Sequence, residues 1–188
     1  MENQEKLLSV ALRIFSEKGY DATGVQEIVS EAGVTKPTLY HYFKSKRGVL
    51  DAIHERYFSM LLTALKSAVH YKGDLPQTLY SVVRMCFDFA IAHPEFYRMQ
   101  LTMSIASPES EPYKATAPYQ AQIVSVLEDL FRKATEQHGN MRNRQQRYSL
   151  TFFGMINTYI ILYLNNHLKL TDETVHLAVH QFSHGIYS

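Results

Sequence analysis

The chain has 188 residues, 46% of them apolar, with 19 Lys and Arg against 18 Asp and Glu and a formal net charge of +1. That much apolar material builds one compact unit or two small ones and excludes a disordered chain; the balanced charge excludes a protein that coats nucleic acid over its whole surface, so any basic site is local. A lone cysteine, Cys86, excludes a disulfide framework and, with no leading signal segment, sets the expectation of a reducing cytoplasm.

The first predicted helix runs from Glu2 to Lys18, repeats Leu8, Ala11, Leu12 and Phe15 at helical spacing, and stops at Gly19. Thr23 followed by Gln26 is the pattern of a capping box. It opens a short helix whose apolar face is Val25, Ile28, Val29 and Ala32, ended by Gly33. Thr35 is placed to cap the next helix, with Pro37 in its first turn, where a missing N–H costs nothing. That helix buries Leu39 and Phe43 and leaves Lys36, Thr38, Tyr40, His41 and Tyr42 pointing elsewhere. Ser45 caps a long helix from Lys46 to about Tyr71 that carries Leu50, Ile53, Tyr57, Met60, Leu61, Ala64 and Ala68 and bridges two domains.

Two short helices joined at Gly33, then Lys36, Lys44, Lys46 and Arg47 with no acid among them, read as a helix-turn-helix that binds DNA. Its N-terminal amides and Lys36 can face phosphate. The Thr38 methyl and Pro37 ring can meet thymine methyls, and the Tyr40 and Tyr42 phenols can hydrogen-bond phosphate oxygens. His41 stands on the same surface, and Lys46 adds a charged donor at a helix start. The alternative is a helical hairpin with a solvated basic end.

Further along, Asp74 with Gln77 makes another capping box, and Pro76 opens a helix to Ala92 that His93-Pro94 stops and restarts. From Phe96 to Ile105 the chain is apolar almost all round, and a loop from Ser107 to Pro112 follows. Helix resumes from Tyr113 to His138, with Pro118 set to kink or split it, and Gly139-Asn140 punctuates. The last two helices span about Arg142–His167 and Thr171–Tyr187, with Thr171 as cap and Leu170 able to staple onto Val175. No stretch alternates with period two, so the fold class is all-α, divided into 1–46 and 47–188. The uncharged run Tyr148–Leu164 sits at the bottom of the membrane-spanning range of roughly 17–25 residues. With Ser149, Thr151, Asn157 and Thr158 inside it, a buried interface helix is the better reading and no membrane partner is expected.

Phe87, Phe96, Tyr97, Met99, Met103, Tyr119 and Ile123 form an adaptable aromatic and methionine set. It can line a site for an apolar or aromatic compound, or equally fill an ordinary core. Leu150, Phe153, Asn157, Ile160, Ile161, Leu164 and Leu168 make one late stripe, with small Gly154 and Thr158 beside it; Val175, Ala178, Val179, Phe182 and Ile186 make another. Two such helices from each of two subunits would build a four-helix bundle. The plainer alternative is that both stripes complete the chain's own core. His176, His180 and His184 fall at i, i+4 and i+8, a spacing that can share a metal ion, yet a structural zinc wants four ligands and no cysteine is near, so no metal is expected. No phosphate loop, nucleophile elbow or cofactor motif is present, which argues against an enzyme and against a resident cofactor.

From Lys6 to Ile53 the chain resembles the N-terminal domain of the TetR/AcrR family of transcriptional regulators, in Lys18-Gly19-Tyr20, Thr23, Ala32-Gly33-Val34, Thr38-Leu39-Tyr40, Tyr42-Phe43 and Ser45-Lys46. The resemblance implies operator contacts from Thr35, Lys36, Pro37, Thr38, Tyr40, Tyr42 and Lys46, with Gln26 as a base reader. Gly24 and Val25 stand where family members often carry Thr or Ser, so a phosphate contact from that helix start is not carried over. It also implies a homodimer on a palindromic double-stranded operator, and a C-terminal effector cavity whose apolar or aromatic occupant releases a repressor. The other reading of the same fold is a DNA-bound protein controlled by a protein partner.

Overall fold

The structure is a computed structural model that describes residues 2–137 and 141–185. Among the described residues it is all-α, with no strand. The helices are α1 Glu2–Lys18, α2 Val25–Ala32, α3 Lys36–Phe43, α4 Lys46–Ala68, α5 Leu75–Ala92, α6 Pro94–Ser104, α7 Glu111–Thr135, α8 Gln145–Leu164 and α9 Asp172–His184. Helix α7 passes through Pro118 without a break. Pro118 and Lys114, whose carbonyl loses its helical partner there, are both exposed, so water can take the freed bond. The expected punctuation at Gly139-Asn140, the helix end at His138, and Ile186 and Tyr187 lie outside the described residues.

Packing groups the chain into residues 1–60 with 93–120, and residues 61–92 with 121–188. These packing units do not divide at residue 46, and α4 and α7 each contribute residues to both.

In the first unit, α1 lies against α2 and α6. The expected α1 face is buried, with Leu7 and Ile14 added to Leu8, Ala11, Leu12 and Phe15. It meets Ile28, Val29 and Ala32 of α2 and Leu39 and Phe43 of α3, each buried. Leu39 has no exposed surface, and such a side chain contributes about 1.5–3 kcal/mol by leaving water. A ring cluster fills the rest: Phe58 stacks on Tyr119 at 4.5 Å, and Phe96 stacks on Tyr57 at 4.9 Å and meets Phe58 edge-on at 5.0 Å.

In the second unit, α5 packs against α8 and α9. Val82, Val83 and Phe87 of α5, Ile156 and Ile160 of α8 and Val175 and Ala178 of α9 have no exposed surface. Phe152 and Phe182 sit 4.9 Å apart, with Phe131 at 6.0 Å from each. Thr171 caps α9 as expected, accepting from the Thr174 N–H at 3.2 Å. Asp172 in the first turn of α9, where negative charge suits the helix dipole, pairs with Arg84 of α5 at 2.9 Å. Burial pushes the Cys86 thiol up to about 12, which leaves it an inert apolar group. No described helix is long and apolar enough to cross a membrane.

Candidate nucleic-acid interface

The reversal between α2 and α3 is held by local chemistry. Gly33 takes a φ of 64° and closes α2, with its N–H on the Ser30 carbonyl and the Val34 N–H on the Val29 carbonyl at 3.0 Å. Thr35, in extended backbone, accepts from the Thr38 N–H at 3.4 Å, and the two threonine hydroxyls lie 2.9 Å apart. Pro37 occupies the first turn. With Leu39 and Phe43 buried, the outward surface of α3 is Thr35, Lys36, Pro37, Tyr40 and His41, all exposed, flanked by half-buried Thr38 and Tyr42. Tyr40, 44% exposed, is a large ring left in water on an otherwise cationic surface.

The capping box expected from Thr23 and Gln26 does not form. Gly24 is the cap residue of α2 and offers no side chain. Thr23 is buried and donates its hydroxyl to the Gly19 carbonyl at 2.7 Å, satisfying an orphan carbonyl at the end of α1. Gln26 is exposed and donates to Ser30 Oγ at 3.1 Å.

Beyond α3 the chain turns sharply at Lys44, whose φ is 67° and whose Nζ donates to the His41 carbonyl at 3.2 Å. Ser45 then caps α4 by accepting from the Gly48 N–H at 3.0 Å. Gly48 was not singled out from the sequence, where it looks like a poor choice inside a helix. A Cβ there would lie 1.8 Å from the Phe43 carbonyl oxygen, so only glycine lets the ends of α3 and α4 approach this closely.

Lys46 is less open than the sequence suggests. Its Nζ donates to the carbonyls of Tyr20 at 2.9 Å and Thr23 at 3.0 Å, and sits 4.0 Å from the Tyr20 ring centre. One of its three N–H donors is left for a phosphate. Arg47 bonds Asp51 at 2.7 Å one turn along α4. Lys36 and Lys44 have no carboxylate partner among the described residues, whereas Arg13 and Lys18 on α1 pair with Glu31 and Glu27 of α2. Positive charge without a carboxylate partner among the described residues thus stands at both ends of α3.

The expected effector residues do not gather in one unit. Phe96, Met99, Met103 and Tyr119 belong to the first and Phe87 and Ile123 to the second. All but half-buried Tyr119 are buried. Three described clefts lie in the second unit and are lined by other residues. One of about 310 Å³ includes Leu75, Leu79, Phe131 and Tyr148; one of about 550 Å³ includes Arg144, Arg147, Tyr148 and Met155. His54 lies on the apolar stripe of α4 between Leu50 and Phe58. It is fully buried against the rings of Phe58, Phe96 and Tyr119, and neither nitrogen makes a hydrogen bond of good geometry. Burial holds its pKa down at about 4, opposed weakly by Asp51 and by a loose backbone contact at Ala115.

Of the expected partner face, α8 supplies exposed Leu150, Gly154 and Ile161, with Phe153, Asn157 and Leu164 half-buried. Among the described residues nothing outside its own helix turn lies within 4 Å of a Cβ built at Gly154, so the fold does not demand glycine there. Val175 and Val179 are corrected: they are 0% and 7% exposed within the chain itself, on the α9 face turned to α5, and Phe182 is half-buried against Phe152. An amphipathic helix has one apolar stripe, and here the chain's own core takes it. Leu177, 61% exposed and not singled out from sequence, is the large apolar residue α9 leaves open. His176 lies tilted against Tyr80 with ring centres 4.6 Å apart, and His180 lies 4.5 Å from His184; among the described residues no group of three or more such side chains is arranged to hold a metal.

Residues 7–53, which span the whole helix-turn-helix, match the family model described as "Bacterial regulatory proteins, tetR family". The helix-turn-helix segment of this chain is therefore of the TetR type. It is 35% identical over 103 residues to the uncharacterized HTH-type transcriptional regulator YuxN of Bacillus subtilis, covering 54% of this chain and 35% of the relative. It is 35% identical over 98 residues to the HTH-type transcriptional activator FasR of Mycolicibacterium smegmatis, covering 52% and 45%. With the uncharacterized HTH-type transcriptional regulator YerO of B. subtilis the likeness is 27% over 179 residues, 93% of this chain and 61% of the relative. The matches thus span less than two thirds of the length of each of these relatives. Among solved structures, FadR from B. subtilis in complex with stearoyl-CoA superposes with a TM-score of 0.80 at 17% identity, over 97% of this chain and 99% of that one. The TetR-family regulator PfmR from Thermus thermophilus gives 0.77 at 23% identity, over 97% and 96%. These structures share the TetR-family fold.

Proposed function

We propose that the protein is a DNA-binding transcriptional repressor that holds a palindromic operator as a homodimer and is released by a small, largely apolar effector. The observation that carries the reading is the outward surface of α3: Lys36, Pro37, Tyr40 and His41 stand exposed on a helix pinned from behind by Leu39 and Phe43. Such a two-turn rod fits a major groove. Thr35, Lys36, Tyr40 and Tyr42 would take phosphates, with the third donor of Lys46 beside them. Pro37, Thr38 and His41 would face base edges, and Gln26 would reach from α2.

One rod touches few base pairs, so two are needed, about 34–36 Å apart. Leu150, Gly154 and Ile161 of α8 with Leu177 of α9 supply an apolar face for a second copy. An effector that favours one spacing of the two rods by about 1–3 kcal/mol changes occupancy roughly 5- to 150-fold. The stearoyl-CoA named with the FadR structure supports an effector with a long apolar part. A role on DNA would put the protein in the cytoplasm. Selection of bound duplexes from a random pool tests the reading: a two-fold symmetric motif is expected, and a pool without enrichment after repeated rounds would end it.

A further inference from the structure

A closed ring of polar contacts lies behind the recognition surface, inside the first unit. Tyr20, only 4% exposed in the turn after α1, donates its phenol O–H to the carboxylate of Glu111, the first residue of α7. The backbone carbonyl of the same Tyr20 accepts from Lys46 Nζ at 2.9 Å, and the ammonium lies over the Tyr20 ring at 4.0 Å. Arg47, the next residue of α4, reaches the Glu111 carbonyl at 3.5 Å and is held from its other side by Asp51. Lys46 also bonds the Thr23 carbonyl, just before α2. The turn that carries α2, the start of α4 that receives α3, and the start of α7 are therefore tied at one point.

The chemistry at that point is that of a directed link. Burial and the neighbouring carboxylate push the Tyr20 phenol upward, so it stays protonated and remains a donor. Glu111 carries acceptors alone, and a charge-assisted bond of this kind is short and directional. The Tyr20 ring is fixed by Phe15 at 5.2 Å, so the phenol has little freedom to follow Glu111 elsewhere. Neither Tyr20 nor Glu111 is on the outward surface of α3.

We propose that Tyr20 and Glu111 are positioning residues for DNA recognition, setting the direction in which α3 is presented by fixing the α1–α2 turn and the start of α4 to α7. This rests on reading α3 as the recognition helix. A residue that aims a helix acts on base readout, which depends on alignment to within a fraction of an ångström. It leaves the looser, salt-driven hold on any duplex alone.

The test uses the full chain, the duplex recovered by selection and a scrambled duplex of equal length. Tyr20→Phe removes one oxygen and Glu111→Leu removes the acceptor. Each should weaken operator binding by about tenfold or more, the size of a charge-assisted hydrogen bond, and change binding to the scrambled duplex by less than about twofold. The double variant should be no weaker than the worse single one, because both remove the same link. Glu111→Gln, whose amide oxygen still accepts from the phenol, should recover most of the loss. Full operator affinity in both single variants, equal losses on the two duplexes, or losses that multiply in the double variant would each overturn the assignment. A wild-type protein that does not distinguish operator from scrambled duplex would instead remove the reading of α3, and this proposal with it.

Discussion

The segment from α2 to the start of α4 and the pair α8–α9 are both amphipathic, yet only the first declares its role in its residues. Around α3 each backbone demand is local and met by one residue type: Gly33 for a positive φ, Thr35 for the orphan amides, Pro37 for the first turn, Ser45 for the next cap. On α8 and α9 the apolar stripes say that something covers them without saying what. The α9 stripe turned out to serve the chain's own α5, and the open apolar side chains are Leu177, Leu150, Ile161 and Leu162. A buried surface is written in hydrophobicity; an interaction surface is written in what remains exposed.

Substitutions can press on this contrast. The largest effect is expected at Leu39, where truncation to Ala should cost about 2–5 kcal/mol in urea unfolding and remove DNA binding with it. A loss below about 1 kcal/mol would mean that α3 is not anchored from behind. Next comes His54, whose folded pKa of about 4 lies below its ordinary 6.5. Folding favours its neutral form, so this contribution to stability is complete above pH 6.5 and is lost as pH falls through 4. The loss amounts to about 3 kcal/mol for the full shift. In His54→Leu that limb of the stability–pH curve should vanish, and an unchanged curve would place the acid sensitivity elsewhere.

Val175→Ala separates core from interface on α9. Sedimentation should show the same association state as the wild type, with about 2 kcal/mol lost from unfolding. Gly154→Leu should do the opposite, giving monomers of near-native stability, since the chain itself has open space there. A monomeric Val175→Ala together with a dimeric Gly154→Leu would reverse the assignment of the two faces. The smallest effect is expected at Lys36, where Ala should reduce the slope of log affinity against log salt by about one unit while leaving the preferred sequence unchanged.

Much of the fold was legible because caps, glycine stops and apolar spacing act within one helix turn. What escaped notice depends on distant partners. Thr23 looks like a cap in sequence and is a cap in chemistry, but it serves the end of α1 instead of the start of α2, because Gly19 offers a carbonyl within reach. Gly48 looks like a weak helix residue until the Phe43 carbonyl is placed against it. Lys46 reads as a free cation, and only the fold brings the Tyr20 and Thr23 carbonyls to its ammonium. His54 was visible as a histidine on an apolar stripe, a signal that could have been used. The aromatic and methionine set proposed for an effector was legible as buried, yet its membership in two packing units was not.

Hydroxyl-radical footprinting of the selected duplex tests the central claim most directly. Two protected patches related by a two-fold axis, with centres about 10–10.5 base pairs apart, are expected, and both should be lost together in a Tyr40→Ala, Lys36→Ala variant. A single patch, or protection that survives those substitutions, would contradict the account.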